Sequence, residues 1–234
     1  MLLYFTDNDI ILKLATYHLF WELSSSLKIK EENIRVLPTA IKVFSASQKN
    51  KQYRQISLER AKQIVRRCQC IDRSALSNTL EFQLLSPIDG IDVGEALLVA
   101  ATQAQEDFYL LTSDKKFLRK LTTSDFDEIK QRLYKRVICL EQLINHVINF
   151  AGFDLVCRRI ASAEPCDQIV SEAFHMGKHT KCSHAVKVLD AAIKDLRDNT
   201  GDLLIDSVLA IQTYSQASGL LNISDFSSSS ILDI

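Results

Sequence analysis

The stretch LLYFTDNDIILKLA, residues 2–15, decides how the chain is read. An apolar run stops at Asp7 and Asp9 and resumes at once as Ile10, Ile11 and Leu12. Carboxylates are almost never buried without a partner, so two of them between apolar runs belong at a strand end or a helix cap. Residues 2–6 therefore read as a short buried strand. An amphipathic helix follows to roughly Leu23, and Ser24, Ser25 and Ser26 break it.

The same alternation continues. IRVLP, residues 34–38, reads as a second strand ended by Pro38, with a helix beginning at 39–46 and a polar loop at 49–55. Helices are expected at about 58–70 and 74–85. In SPIDGIDVGEALLVAATQAQ, residues 86–105, Pro87 and Gly90 mark a loop and Asp92 an N-cap. Glu95, three residues on, stands at capping-box spacing before an alanine-rich helix. DFYLLTSD, residues 107–114, is an apolar strand ending in an aspartate, and RVICL, residues 136–140, is another.

Strands separated by helices require parallel crossovers, which predicts a three-layer α/β/α domain with a central parallel sheet over residues 1–150. From 151 to 234 the pattern is an all-helical C-terminal extension. Its helices are expected at 153–163, 165–175, 182–197 and 203–214, the third carrying Val186, Leu189, Ile193 and Leu196 on one face. The tail from Asp225 is expected to be loose.

A chain of 234 residues is ample for a self-sufficient core. Three prolines and six glycines argue against a repeat array, a β-sandwich or a disordered chain. No apolar stretch approaches the ~20 residues that cross a bilayer, so no membrane partner is expected. The six cysteines lack the dense spacing of a disulfide framework, and no basic n-region opens the chain, which points to the cytoplasm.

Charge is unevenly spread. Residues 42–73 carry nine Lys/Arg against Glu59 and Asp72, and residues 114–136 carry eight against four acids. These segments total +7 and +4 within a chain of net charge -1, so a basic face for a polyanion is expected beside an acidic one. Lys49, Lys51, Arg54, Lys115 and Lys116 are the candidate nucleic-acid contacts, the alternative being a solvated helix face.

In parallel sheets ligands bind outside the carboxyl ends of the strands, where Asp7, Asp9 and Asp114 are expected to fall. Glu95 joins them if its helix starts at that edge. Converging carboxylates repel one another, so such a cluster needs protons or a divalent cation, and oxygen ligands suit Mg2+ or Mn2+. Each acid also has a plainer role as a helix cap.

At these residues the chain resembles the PIN-domain nucleases, whose members include the toxin ribonucleases of bacterial toxin-antitoxin pairs. YFTDNDIIL resembles the family's first strand and metal-binding aspartate, with Asp9 where an asparagine is common. IDVGEALLVAA resembles its glutamate-bearing helix and LLTSDKKF its late strand ending in an acid. The resemblance covers about residues 1–145 and implies metal-assisted hydrolysis of RNA, with Asp7, Glu95 and Asp114 as catalytic metal ligands. An antitoxin is the partner that a toxin member would have; an antitoxin or other protein bound through the extension, or a homo-oligomer, is the partner expectation here. The family's further acid, on the helix after the second strand, is replaced here by Val43, and Asp9 and Asp92 are the candidates to supply it.

Three other readings stay open. Asp7-x-Asp9 after a strand also fits a haloacid-dehalogenase-like phosphatase, but Ile11 and an immediate helix suit that family poorly. His175, His179, Cys182 and His184 could share a zinc ion or line an ordinary polar loop. A decayed, non-catalytic nucleic-acid or protein-binding module is the alternative that Val43 favours.

Overall fold

The computed structural model describes residues 1–46, 53–123 and 125–208. At its centre lies a parallel sheet of β1 (Leu3–Thr6), β2 (Ile34–Val36), β3 (Gln69–Cys70), β4 (Phe108–Leu111) and β5 (Val137–Ile138), in spatial order β3-β2-β1-β4-β5. In register, Tyr4 of β1 lies opposite Ile34 on one side and Tyr109 on the other. The chain builds outward from β1 to β3, then crosses back to lay β4 on the free side of β1. Strand order therefore reverses between β1 and β4.

Around the sheet pack α1 (Asn8–Thr16), α2 (Phe20–Ser26), α3 (Ala40–Ser45), α4 (Gln55–Arg67), α5 (Arg73–Leu76), α6 (Leu80–Leu85) and α7 (Val93–Ala101). Then follow α8 (Lys115–Thr123), α9 (Asp127–Leu133), α10 (Leu140–Ala151), α11 (Phe153–Ser162), α12 (Gln168–Ala173) and α13 (Cys182–Thr200). Strand side chains alternate between faces. Leu3 and Phe5 of β1, with Phe108 and Leu110 of β4, face Leu85 of α6, Leu98 of α7, Leu118 of α8 and Leu133 of α9. Tyr4 and Leu111 face the opposite way, onto Ile11 of α1, Leu23 of α2, Leu58 of α4 and Ile144 of α10. The expected three-layer α/β/α arrangement is the one observed.

The helices after residue 150 share the second of these cores. Val156 and Ile160 of α11, Val170 of α12, and Ala185 and Leu189 of α13 are buried in the same cluster as α1 and α10.

Several boundaries differ from expectation. The first helix does not run to Leu23: His18 takes a positive φ of 60°, and α2 restarts at Phe20. Ser24 and Ser26 continue α2, because their hydroxyls donate to the Ile29 and Leu23 carbonyls and so can be buried. Residues 58–70 are not one helix, since Gln69 and Cys70 leave α4 to pair with β2. Residues 74–85 split at Thr79, whose hydroxyl caps α6.

The described part of 203–214 is no α-helix. Leu204 bridges Val137 of β5 in parallel and Ile205 donates its N–H to the Val137 carbonyl, so this apolar run covers the sheet edge. Residues 209–214 and the tail from Asp225 lie outside the described residues.

Leu189 is fully buried in α13. Leu189→Ala is expected to lower stability by about 2–5 kcal/mol and to shift a single calorimetric transition. A separate early transition for the helices after 150 would contradict a shared core.

Candidate active site

Where β1 ends, the chain turns directly into α1, so Asp7 is its N-cap and Oδ1 accepts the Asp9 N–H at 2.8 Å. Thr112, the first residue after β4, donates its hydroxyl to Asp7 Oδ2 at 3.1 Å and accepts the Asp114 N–H at 3.1 Å. Asp114 Oδ1 then takes the N–H groups of Lys116 at 2.8 Å and Phe117 at 2.9 Å, in the first turn of α8. Asp7 and Asp114 thus flank the reversal between β1 and β4, linked through one threonine. This is where open parallel sheets form their crevice.

Asp92 and Glu95 form the expected capping box of α7. Each takes the other's backbone N–H on a side-chain oxygen at 2.7 Å. Between them Gly94 sits so close to Leu37 that a Cβ there would lie 2.9 Å from Leu37 Cδ1. Leu37 is the first residue past β2, so this close approach sets the start of α7, and with it Glu95, at the carboxyl edge of the sheet.

The charges at this edge act on one another. Burial pushes Glu95 up to about 8, with the carboxylates of Asp92, Asp114 and Asp7 adding repulsion against the helping Asp92 N–H. Burial and then the Asp9 charge push Asp7 up to about 6, against hydrogen bonds from the Asp9 N–H and Thr112 and the charge of Lys13. At neutral pH Glu95 therefore keeps its proton. A cation could take that proton's place.

In donor chemistry the set fits a hard divalent ion, being all carboxylate oxygen. Two acceptor oxygens at this edge, Asn8 Oδ1 beside Asp7 and Glu141 Oε2 just past β5, are buried without a hydrogen-bond partner. As the side chains stand, no three His, Cys, Asp or Glu among the described residues are grouped to hold an ion. Asp7 and Asp114 spend oxygens on cap hydrogen bonds, and coordination would draw them off.

Of the proposed basic contacts, Lys116 is exposed, whereas Lys115 is bound to Glu141, itself 1% exposed. Arg54 pairs with Glu164 at 3.4 Å and also reaches the Ser162 carbonyl. Lys49 and Lys51 lie outside the described residues. His175 and His184 stack edge to face with ring centres 4.8 Å apart, but His179 and Cys182 stand exposed and the four do not assemble into a metal group.

Residues that sequence reading passed over also reach this edge: Thr112, Ser113, Lys13, Glu141 and Asp167. Lys13 Nζ donates to Ser113 Oγ and Asp167 Oδ2, each at 3.0 Å. Only Thr112 and Ser113 carried a signal, as neighbours of Asp114 in the TSD turn. Compared with known proteins, the chain matches no family model, no curated protein and no solved structure.

The raised Glu95 has a definite sign in stability. In the unfolded chain it loses its proton near the ordinary carboxylate value, while the folded state holds it to about 8, so stability falls as pH rises between the two. Glu95→Gln should melt like the parent near pH ~4 and several degrees above it near pH ~9. An equal difference at both values would contradict the repulsion described.

Proposed function

We propose that the chain is a PIN-like, metal-dependent ribonuclease hydrolysing phosphodiester bonds at the crevice between β1 and β4. What supports this reading most is the placing of Asp7 and Asp114 on the two sides of the strand reversal, with Glu95 in their field. Asp7, Glu95 and Asp114 would hold Mg2+ or Mn2+, with Asp9 and Asp92 beside them. When bound, the ion supplies a Lewis acid for the phosphoryl group and lowers the pKa of an attacking water.

The chain's own groups do the rest. The Thr112 hydroxyl directs Asp7 Oδ2, and before the ion binds the caps of α1 and α8 hold both aspartates at this edge. Glu95 would release its proton to the solvent as the ion takes its place, and so would enter the reaction as a carboxylate ligand. Lys116 and Arg54, both exposed, would meet flanking phosphates, Arg54 by leaving Glu164. Phosphate contacts of this kind carry little base specificity.

A binding module without catalysis is the second reading. Its supporting observation is Val43, which packs against the apolar core from α3 and offers no oxygen. Such a module would retain RNA without divalent ions and would be indifferent to loss of Asp7.

Purified protein should degrade single-stranded RNA with Mn2+ or Mg2+ and not with a chelator present. Asp7→Asn and Asp114→Asn should abolish cleavage while keeping the fold, because asparagine is also a good N-cap. Full cleavage by both variants would exclude the site. Affinity for RNA should drop steeply between about 50 and about 200 mM salt, and a flat dependence would speak against phosphate contacts.

A further inference from the structure

Lys13 lies on the buried side of α1 among Ile10, Ile11, Leu12 and Leu14, all of them inaccessible. Its side chain is 12% exposed and that of its partner Asp167 13%. A lysine so enclosed needs partners for its ammonium. It finds Ser113 Oγ and Asp167 Oδ2, each at 3.0 Å. Asp9, one helical turn earlier, adds its charge.

The three partners come from separate parts of the chain. Asp9 opens α1 next to Asp7, Ser113 precedes Asp114 in the turn after β4, and Asp167 caps α12 through the Val170 N–H at 3.1 Å. One ammonium thus ties the helices after residue 150 to both aspartate-bearing turns. It is also a positive charge already resident where a divalent ion is proposed to bind. Lys115, next in the same turn, repeats the arrangement against Glu141, whose second oxygen is buried and unpartnered, and its charge also acts on Asp167.

We propose that Lys13 is the resident counter-charge of this acidic edge, held in place by Asp167, and that this ion pair sets how tightly the edge takes a divalent cation. The inference rests on the nuclease reading of the same site. Asp167 draws the ammonium toward the helical side and neutralises it. Without Asp167 the full positive charge of Lys13 acts on Asp7 and Asp9 and opposes the ion; without Lys13 that opposition disappears.

The two single variants should therefore move Mn2+ affinity in opposite directions, measured at low salt by electron paramagnetic resonance of free Mn2+. Lys13→Met should tighten binding by roughly fivefold and Asp167→Asn weaken it by a similar factor, the size expected for one charge several ångströms from a divalent ion in a wet cleft. Lys13→Arg, which keeps the charge, should stay near the parent. If Lys13→Met fails to fold, Lys13→Gln with Asp167→Asn leaves no unpaired buried charge and should bind near the parent and roughly fivefold more tightly than Asp167→Asn alone; equal affinity of the double variant and Asp167→Asn would overturn the proposal.

A purely structural bridge would lower the melting temperature of both single variants and leave their Mn2+ affinities equal to the parent's. Equal affinities, or shifts of the same sign, would overturn the proposal. Asp114→Asn separates the two ideas. If it leaves Mn2+ affinity unchanged, the site itself fails; if it weakens binding while the Lys13 and Asp167 variants do not diverge, only the counter-charge fails.

Discussion

Charge balance at the carboxyl edge of the parallel sheet is the constraint on which the site depends. All strands point the same way, so each delivers its following residue to one edge, and β1, β4 and β5 deliver Asp7, the Thr112 to Asp114 turn and Glu141 there. Helix starts gather at the same edge. Their backbone N–H groups neutralise part of the charge, which is how Asp7, Asp92 and Asp114 are accommodated as caps. Glu95 retains a proton and Lys13 and Lys115 add ammonium groups. The edge is thus balanced by caps, a proton and two lysines, each of which a bound cation would affect.

Packing makes this arrangement rigid. The strands of the sheet are short, four residues at most, and cannot define the edge alone. Their two faces are covered by separate apolar clusters, one of which continues through α11, α12 and α13. The helices after residue 150 therefore share the core under the sheet's helices and bring Asp167 to Lys13. Arg132 performs a similar service on the other face, forking onto the buried Glu81 carboxylate and the Thr102 hydroxyl.

Local chemistry was legible in the sequence, and long-range chemistry was not. The capping box of Asp92 and Glu95 could be read because its partners are three residues apart, and Asp7 and Asp114 because each ends an apolar strand. The layer order followed from alternating strands and helices. Strand β3 was missed because it is two exposed residues, Gln69 and Cys70, with no apolar signature. The run at 203–205 looked helical because burial against a sheet edge and burial on a helix face leave similar apolar runs. Lys13 and Asp167 are 154 residues apart, and no spacing rule connects them.

The central claim is that Asp7, Glu95 and Asp114 meet around one divalent ion. A crystal soaked in Mn2+ and measured at the manganese absorption edge tests it most directly. An anomalous peak is expected within coordination distance of all three carboxylates, with Asp7 and Asp114 turned off their cap hydrogen bonds. A peak elsewhere, or none at an edge whose caps remain intact at saturating Mn2+, would contradict it.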